Sequence, residues 1–210
     1  MRITWLGHAC FLLEQDGYRV VIDPFRDVPG FRDVSVEADM VLCSHGHFDH
    51  SCYERLNPAN VVKEPGEYAI GDVKITGIES FHDDAQGAKR GKNVMFVIEA
   101  DGKRIAHLGD LGCMPDDSVL GAMEKADVLL IPVGGNYTID GKTAAAIVAE
   151  TKPRTVIPMH YKTPSLQVSV AGNEEFLMQL HGVEIVPGSQ LEITPMMPKV
   201  VVFEKPMGEK

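Results

Sequence analysis

The segment Ser44-His45-Gly46-His47-Phe48-Asp49-His50 sets three imidazoles and a carboxylate within six consecutive positions, His45 to His50. Neutral imidazole nitrogen and carboxylate oxygen suit Zn²⁺, Fe²⁺ or Mn²⁺, and ligands one or two residues apart on a tight loop can surround a pair of ions. One ion cannot easily use all four groups. A chance cluster of histidines, or a helix cap, is the competing reading, and it leaves Asp49 and the later histidines without a reason. A paired site takes about three protein ligands per ion plus a bridge, so the loop has to be completed from elsewhere. His82, Asp110 and His160 are the candidates, each following a strand-like run where loops converge.

The elements that must position these residues are mostly strands. Runs rich in Val and Ile, bounded by turn residues, occur at 11–14, 18–22, 40–43, 73–76, 94–99, 104–108, 128–133, 155–158, 183–186 and 200–203. Asp16-Gly17 and Asp101-Gly102 are turn dipeptides suited to hairpins, so the sheets are at least partly antiparallel. Helices are expected at 117–125, at 141–151 with Asp140 as N-cap and Pro153 just past the end, and at 173–181 before Gly182. No repeat, linker or low-complexity tract divides the chain, which reads as a single α/β domain over residues 1–210 with strands flanked by helices.

With 44% hydrophobic and 24% charged residues, 210 residues suffice for a sizeable core. The net charge of −10 repels a phosphate backbone, which argues against a nucleic-acid partner and leaves a small, possibly anionic substrate. Cys10, Cys43, Cys52 and Cys113 show no C-x-x-C spacing, the pattern of reduced thiols in a cytoplasmic protein. No run approaches about 18 apolar residues, so no membrane span is expected. Nothing in the sequence fixes an oligomeric state.

The pattern H-x-H-x-D-H at His45, His47, Asp49 and His50, followed by His82, Gly109-Asp110 and His160, resembles the metallo-β-lactamase superfamily. The resemblance implies an αββα four-layer sandwich of two mixed sheets with the site at one edge. It implies that His45, His47 and His82 bind one ion, that Asp49, His50 and His160 bind the other, and that Asp110 bridges them. The ions would be two divalent metals, zinc first, with manganese or iron as alternatives. Gly7-His8, Ile22-Asp23-Pro24, Gly91 with Asn93, the run 133–140 and Pro158-Met159-His160-Tyr161 are similar to a small single-domain branch that includes the ascorbate-6-phosphate lactonase type. Ser44 stands where a threonine is commoner.

The implied activity is hydrolysis of a small ester, phosphodiester or (phospho)lactone. A water shared by two cations ionises near neutral pH, and one ion polarises the oxygen under attack. Asp49 is either a ligand only or also a proton carrier to the leaving group. A metal-binding sensor or scaffold without turnover is the rival reading. Diiron redox chemistry is a third, disfavoured because such relatives usually carry glutamate where this chain has His47. Subclasses of true β-lactamase use cysteine where Asp110 stands.

Around this set, Asp23 either orients a ligand imidazole or caps the turn before Pro24, and His8 is either near the metals or structural. Gly134-Gly135 and Tyr137 offer backbone N–H groups and a phenol to a substrate. His107 reads as a buried imidazole, and His181 as a helix C-terminal histidine outside the site. Lys89, Arg90 and Lys92 could meet an anion, although a solvated basic loop is the commoner arrangement. Met196-Met197 reads as core or interface filler.

Overall fold

The computed structural model describes residues 1–210. In chain order the strands are β1 (Arg2–Gly7), β2 (Cys10–Gln15), β3 (Tyr18–Ile22), β4 (Met40–Leu42), β5 (Asn60–Val62), β6 (Gly66–Ile70), β7 (Val73–Phe81), β8 (Lys92–Ala100), β9 (Lys103–His107), β10 (Val128–Pro132), β11 (Thr155–Met159), β12 (Val183–Val186), β13 (Gln190–Glu192) and β14 (Val200–Phe203). The helices are α1 (Asp117–Ala122), α2 (Gly141–Thr151) and α3 (Glu174–Leu177). A six-stranded sheet runs β13-β1-β2-β3-β4-β5 and an eight-stranded sheet β12-β14-β11-β10-β9-β8-β7-β6. Both are mixed. In the first, β3, β4 and β5 are parallel beside an antiparallel meander; in the second, β9, β10, β11, β14 and β12 are parallel and β8 turns the direction.

The two hairpins form where the turn dipeptides stand. Asp16 and Gly17 have φ +50° and +84°, and Asp101 and Gly102 have φ +51° and +65°. Positive φ at both central residues is what a type I′ turn needs to match strand twist. Helix α2 occupies the expected range, with the Asp140 carboxylate accepting from the Thr143 N–H at 2.8 Å.

Packing follows the period-2 alternation of strands. On the first sheet Ile3, Trp5, Phe11, Leu13, Val20, Ile22, Met40 and Leu42 join a core of 42 buried residues shared with the second sheet. Their neighbours Leu6, Leu12, Val21, Val41 and Cys43 face the other way, into a cluster of 13. That outer face is covered by Phe25, Val28, Phe31, Val34 and Ala38 of the β3–β4 connection, by Leu56 and by Leu166. The layer over the six-stranded sheet is therefore irregular chain with one 3-10 turn, Glu54–Leu56, in place of an α-helix. Every residue of β10 and β11 is buried, as for parallel strands covered on both faces.

Four strands have no sequence signal: β1, which carries Arg2 and Thr4 among its apolar residues, and β5, β6 and β13, which are short or half-exposed. Two helices are shorter than expected, α1 ending at Ala122 and α3 at Leu177. His181 therefore lies beyond α3, and the helix-dipole reason for its placement does not apply.

Leu130 sits fully buried at the centre of β10, whereas Ile185 on β12 is 68% exposed. Leu130→Ala should cost about 2–5 kcal/mol in urea unfolding and Ile185→Ala less than about 0.5 kcal/mol. Equal losses would contradict the assignment of β10 to the core and β12 to the rim.

Candidate metal centre

The site lies where the C-terminal ends of strands from both sheets meet. Asp23 follows β3, the 44–50 loop follows β4, His82 follows β7, Asp110 lies just past β9, and His160 follows β11. His8, Asp23 and His160 have φ +53°, +50° and +51°, so the chain turns sharply directly after each strand. Gly109 has φ +54°, and a Cβ there would collide with the Asn93 side chain and Ser44. The close approach lets Asn93 pin the turn: its Oδ1 accepts from the Asp110 N–H at 3.0 Å, while its Nδ2 donates to Ser80 Oγ at 2.8 Å and to the Leu108 carbonyl at 3.0 Å. Gly134 packs against the His160 carbonyl, which leaves no space for a side chain.

At the centre is one carboxylate oxygen. Asp110 Oδ2 lies 3.2 Å from His82 Nε2, 3.3 Å from His50 Nε2, 3.3 Å from His160 Nε2 and 4.0 Å from His45 Nε2. His45, His47 and His82 bring ligand atoms within 4.8 Å of one another on one side, with His47 Nδ1 3.0 Å from His45 Nε2. His8, His50 and His160 do the same on the other side. Asp49 borders that second group, its Oδ2 3.8 Å from His50 Nε2 and 3.2 Å from His8 Nε2. His8 thus belongs to the cluster itself, packed 4.1 Å from the His160 ring between centroids.

The far nitrogens of His82, His50 and His45 are held by protein groups, which sets the tautomers that point their Nε2 inward. His82 Nδ1–H donates to the Tyr137 carbonyl at 2.7 Å. His50 Nδ1–H donates to Asp23 Oδ2 at 2.9 Å. The Ser44 hydroxyl also donates to Asp23 Oδ2, at 2.6 Å, which leaves its oxygen to accept from His45 Nδ1–H at 2.9 Å. Asp23 therefore orients one imidazole directly and a second through Ser44, and the Ser44 N–H closes the set on its Oδ1 at 2.7 Å. His107 has both nitrogens engaged, with Ala9 O and Gly109 N–H, and serves the fold.

Burial disfavours the charged form of these histidines, bringing His45 down to about 3 and His8 to about 4, and lowering His47 too. These are neutral at physiological pH, as a metal requires. For Asp110 burial opposes ionisation, but His160 and His50 outweigh it and hold the carboxyl well below the usual range. Asp49 is likewise lowered against its burial, by the His8 hydrogen bond and His50. His50 is the exception: burial is overcome by Asp110 and Asp23, which raise it well above an ordinary histidine.

Four buried atoms in this cluster, His50 Nε2, Asp110 Oδ1, His8 Nδ1 and His160 Nδ1, have no hydrogen-bond partner. Buried polar atoms are normally satisfied, and His50 Nε2, unpaired at 3.3 Å from the ionised Asp110 Oδ2, fits a cation held by both. The donor set can thus hold metal. Of the residues singled out in the sequence, His8, Asp23, His45, His47, Asp49, His50, His82, Asp110 and His160 come together here, whereas Tyr137 reaches the cluster through its carbonyl with its ring exposed and the Gly135 N–H is taken up by Ile139 O. Main-chain and supporting roles, such as the Tyr137 carbonyl, carry no sequence signal.

A Beta-lactamase superfamily domain model matches residues 2–160. A UPF0173 metal-dependent hydrolase from Carboxydothermus hydrogenoformans is 33% identical over 193 residues, covering 78% of this chain and 85% of the relative. A UPF0173 protein from Pyrococcus furiosus is 34% identical over 204 residues, covering 86% and 90%. Among solved structures, a Thermotoga maritima protein provisionally named a Zn-dependent hydrolase of the metallo-beta-lactamase superfamily superposes with a TM-score of 0.79 at 38% identity, covering 96% of this chain and 97% of that one.

In the metal-free protein, imidazole NMR should show His50 still protonated above pH 6.5 while His45 and His8 titrate far lower, at about 3 and about 4. Because a cation needs the Nε2 lone pair, metal affinity should rise with pH until that proton is lost. Asp23→Asn should weaken metal binding by about 10–100-fold with unchanged circular dichroism. Unaltered affinity in that variant would remove Asp23 from the centre.

Proposed function

The chain belongs to the β-lactamase superfamily and is one of its metal-dependent hydrolases, and on that footing we propose that it works with two ions on a small ester, phosphodiester or phosphorylated lactone. His45, His47 and His82 would hold one ion and Asp49, His50 and His160 the other, with Asp110 placed between the two groups. The observation that carries this reading is the placing of Asp110 Oδ2 within 3.2–3.3 Å of His82 from the first trio and of His50 and His160 from the second. A donor set of imidazole and carboxylate without thiolate, together with the name of the Thermotoga maritima relative, favours zinc, with manganese or iron compatible.

When bound, the ions supply an ionised water and polarise the oxygen under attack. The chain's own residues do the rest. Asp49, with Oδ2 beside His8 Nε2, takes the proton of the attacking water and passes it to the leaving group. Asp23 and the Tyr137 carbonyl keep the His50, His45 and His82 rings fixed during turnover. The −10 net charge keeps long polyanions away, so nucleic acid is not the substrate. All four cysteines are free, which suits a cytoplasmic setting, and no helix is long and apolar enough to cross a membrane.

Protein purified from metal-supplemented medium should contain close to two transition-metal ions per chain, the number two trios and a bridge require. His47→Ala and His160→Ala should each lose metal and activity, and a chelator should abolish turnover. Asp110→Asn should lower kcat by about 100-fold or more, the upper end of what loss of a mere supporting partner costs, with the fold retained. Full activity without metal, or unchanged turnover in Asp110→Asn, would overturn the two-ion reading.

A further inference from the structure

We propose that the Arg90 guanidinium, seated on the ring of Tyr137 beside His82, binds a phosphate or carboxylate group of the substrate away from the bond being cleaved. The proposal rests on the hydrolase reading of the neighbouring centre and names the substrate class it takes.

A cavity of about 360 Å³ opens next to the candidate centre, lined by His82, Asp83, Lys89, Arg90, Gly112 and Tyr137 among others. The charged groups around it are accounted for except one. Lys89 Nζ pairs with Asp84 Oδ1 at 2.5 Å, and Lys92 Nζ pairs with Glu79 Oε1 at 2.5 Å. Both Asp83 oxygens are occupied by main chain, Oδ1 by the N–H groups of Ala85 and Gly87 at 2.8 and 2.9 Å, Oδ2 by those of Lys89 and Arg90 at 2.9 and 2.7 Å. The Arg90 guanidinium has neither an ion-pair partner nor a hydrogen bond from its side chain. Its Cζ lies 3.2 Å from the centroid of the Tyr137 ring. Lys89 and Lys92 thus behave as a solvated basic surface, and Arg90 does not.

A guanidinium stacked on an aromatic face keeps its edge N–H groups free, and that fork matches the two oxygens of a carboxylate or phosphate. Asp83 fixes the main chain of Arg90 and the Tyr137 ring supports its guanidinium, so the fork is placed before any ligand arrives.

Tyr137 supplies the second observation. Its φ is +97°, a conformation a bulky residue rarely adopts, and its side chain is not buried in compensation, since the residue is 52% exposed. The strain is maintained by its surroundings: the Tyr137 carbonyl accepts from His82 Nδ1–H, Asn136 Nδ2 donates to the Ser169 carbonyl, and Gly135 N–H donates to Ile139 O. One residue therefore grips a candidate metal ligand through its carbonyl and carries the unpaired cation on its ring. That fixes the spacing between the anion subsite and the candidate centre, as a substrate with a reacting bond at one end and a charge at the other requires. Asp83 and Asp84 offset Lys89 and Arg90, so the cavity offers little general attraction to polyanions and selects by the fork.

The test is calorimetric binding of glucose 6-phosphate, gluconate and glucose to the metal-loaded protein, its Arg90→Ala and its Arg90→Lys variants. Wild type should bind at least one charged sugar and not glucose, and the tighter probe tells phosphate from carboxylate. Arg90→Ala should weaken that probe by about 10–100-fold at unchanged metal content, with Arg90→Lys between the two. No binding of either charged probe to wild type, equal affinity in Arg90→Ala, as direct capture by the ions would give, or loss of metal from Arg90→Ala would overturn the subsite. A Arg90-dependent affinity in a protein that hydrolyses nothing would count against the hydrolase reading alone, and hydrolysis without that dependence against the subsite alone.

Discussion

The buried Asp23 carboxylate is the constraint on which the candidate centre hangs. An ion with no exposure costs several kcal/mol unless its lone pairs are all answered. Here three donors answer them: Ser44 N–H, Ser44 Oγ–H and His50 Nδ1–H. The geometry comes from the sheet. Parallel pairing of β3 with β4 sets Ile22 opposite Leu42, and the ladder continues with the Asp23 N–H donating to the Leu42 carbonyl at 2.8 Å. Asp23 is thereby set against Ser44 where the histidine loop begins, and a shift of one residue in that register would turn its side chain to the other face. Two imidazoles from one loop are aimed by one acid that the fold cannot leave unpaired.

The second sheet solves a related problem differently. Asp110 must stay ionised while buried among imidazoles, and the turn that presents it is clamped by Asn93 and permitted by Gly109. Left-handed conformations at His8, Asp23, Gly109 and His160 lie at this end of the sandwich, together with four of the nine unpaired buried polar atoms, His8 Nδ1, His50 Nε2, Asp110 Oδ1 and His160 Nδ1. Both are destabilising, and the core of 42 residues behind them is what holds them in place. Unpaired atoms and turned backbone thus meet in one cluster at this end, consistent with groups arranged for a cation rather than for each other.

What the sequence made legible had chemistry or strong periodicity behind it. The histidine-rich 45–50 run, the strand-end residues His82, Asp110 and His160, the I′ turn dipeptides and the capped helix α2 all declare themselves through local residue types. The strands β5, β6 and β13 do not, because a short or half-exposed edge draws its stability from a partner strand absent from its own sequence. Helix α3 ends at Leu177 although the apolar pattern runs on to Leu180, which takes His181 out of the helix. Roles carried by main chain, such as the Tyr137 carbonyl on His82, have no residue signature at all. Nor does the difference between Lys89, which is paired, and its neighbour Arg90, which is not.

The proposed division of labour between the two carboxylates follows from their exposure. Asp110 has a 3% exposed side chain ringed by imidazoles, so it can share charge with ions but has no route for a proton to or from a substrate. Asp49 has a side chain 25% exposed and only His8 and His50 close to its Oδ2. A proton carrier must reach the leaving group and later exchange with solvent, and of the two acids only Asp49 can do both. His8 then makes sense of its own position: kept neutral by burial at about 4, its Nε2–H donates to Asp49 Oδ2 and holds that oxygen in place without adding a charge that would repel a cation. Binding charge and moving protons are separated by how deeply the fold buries each acid.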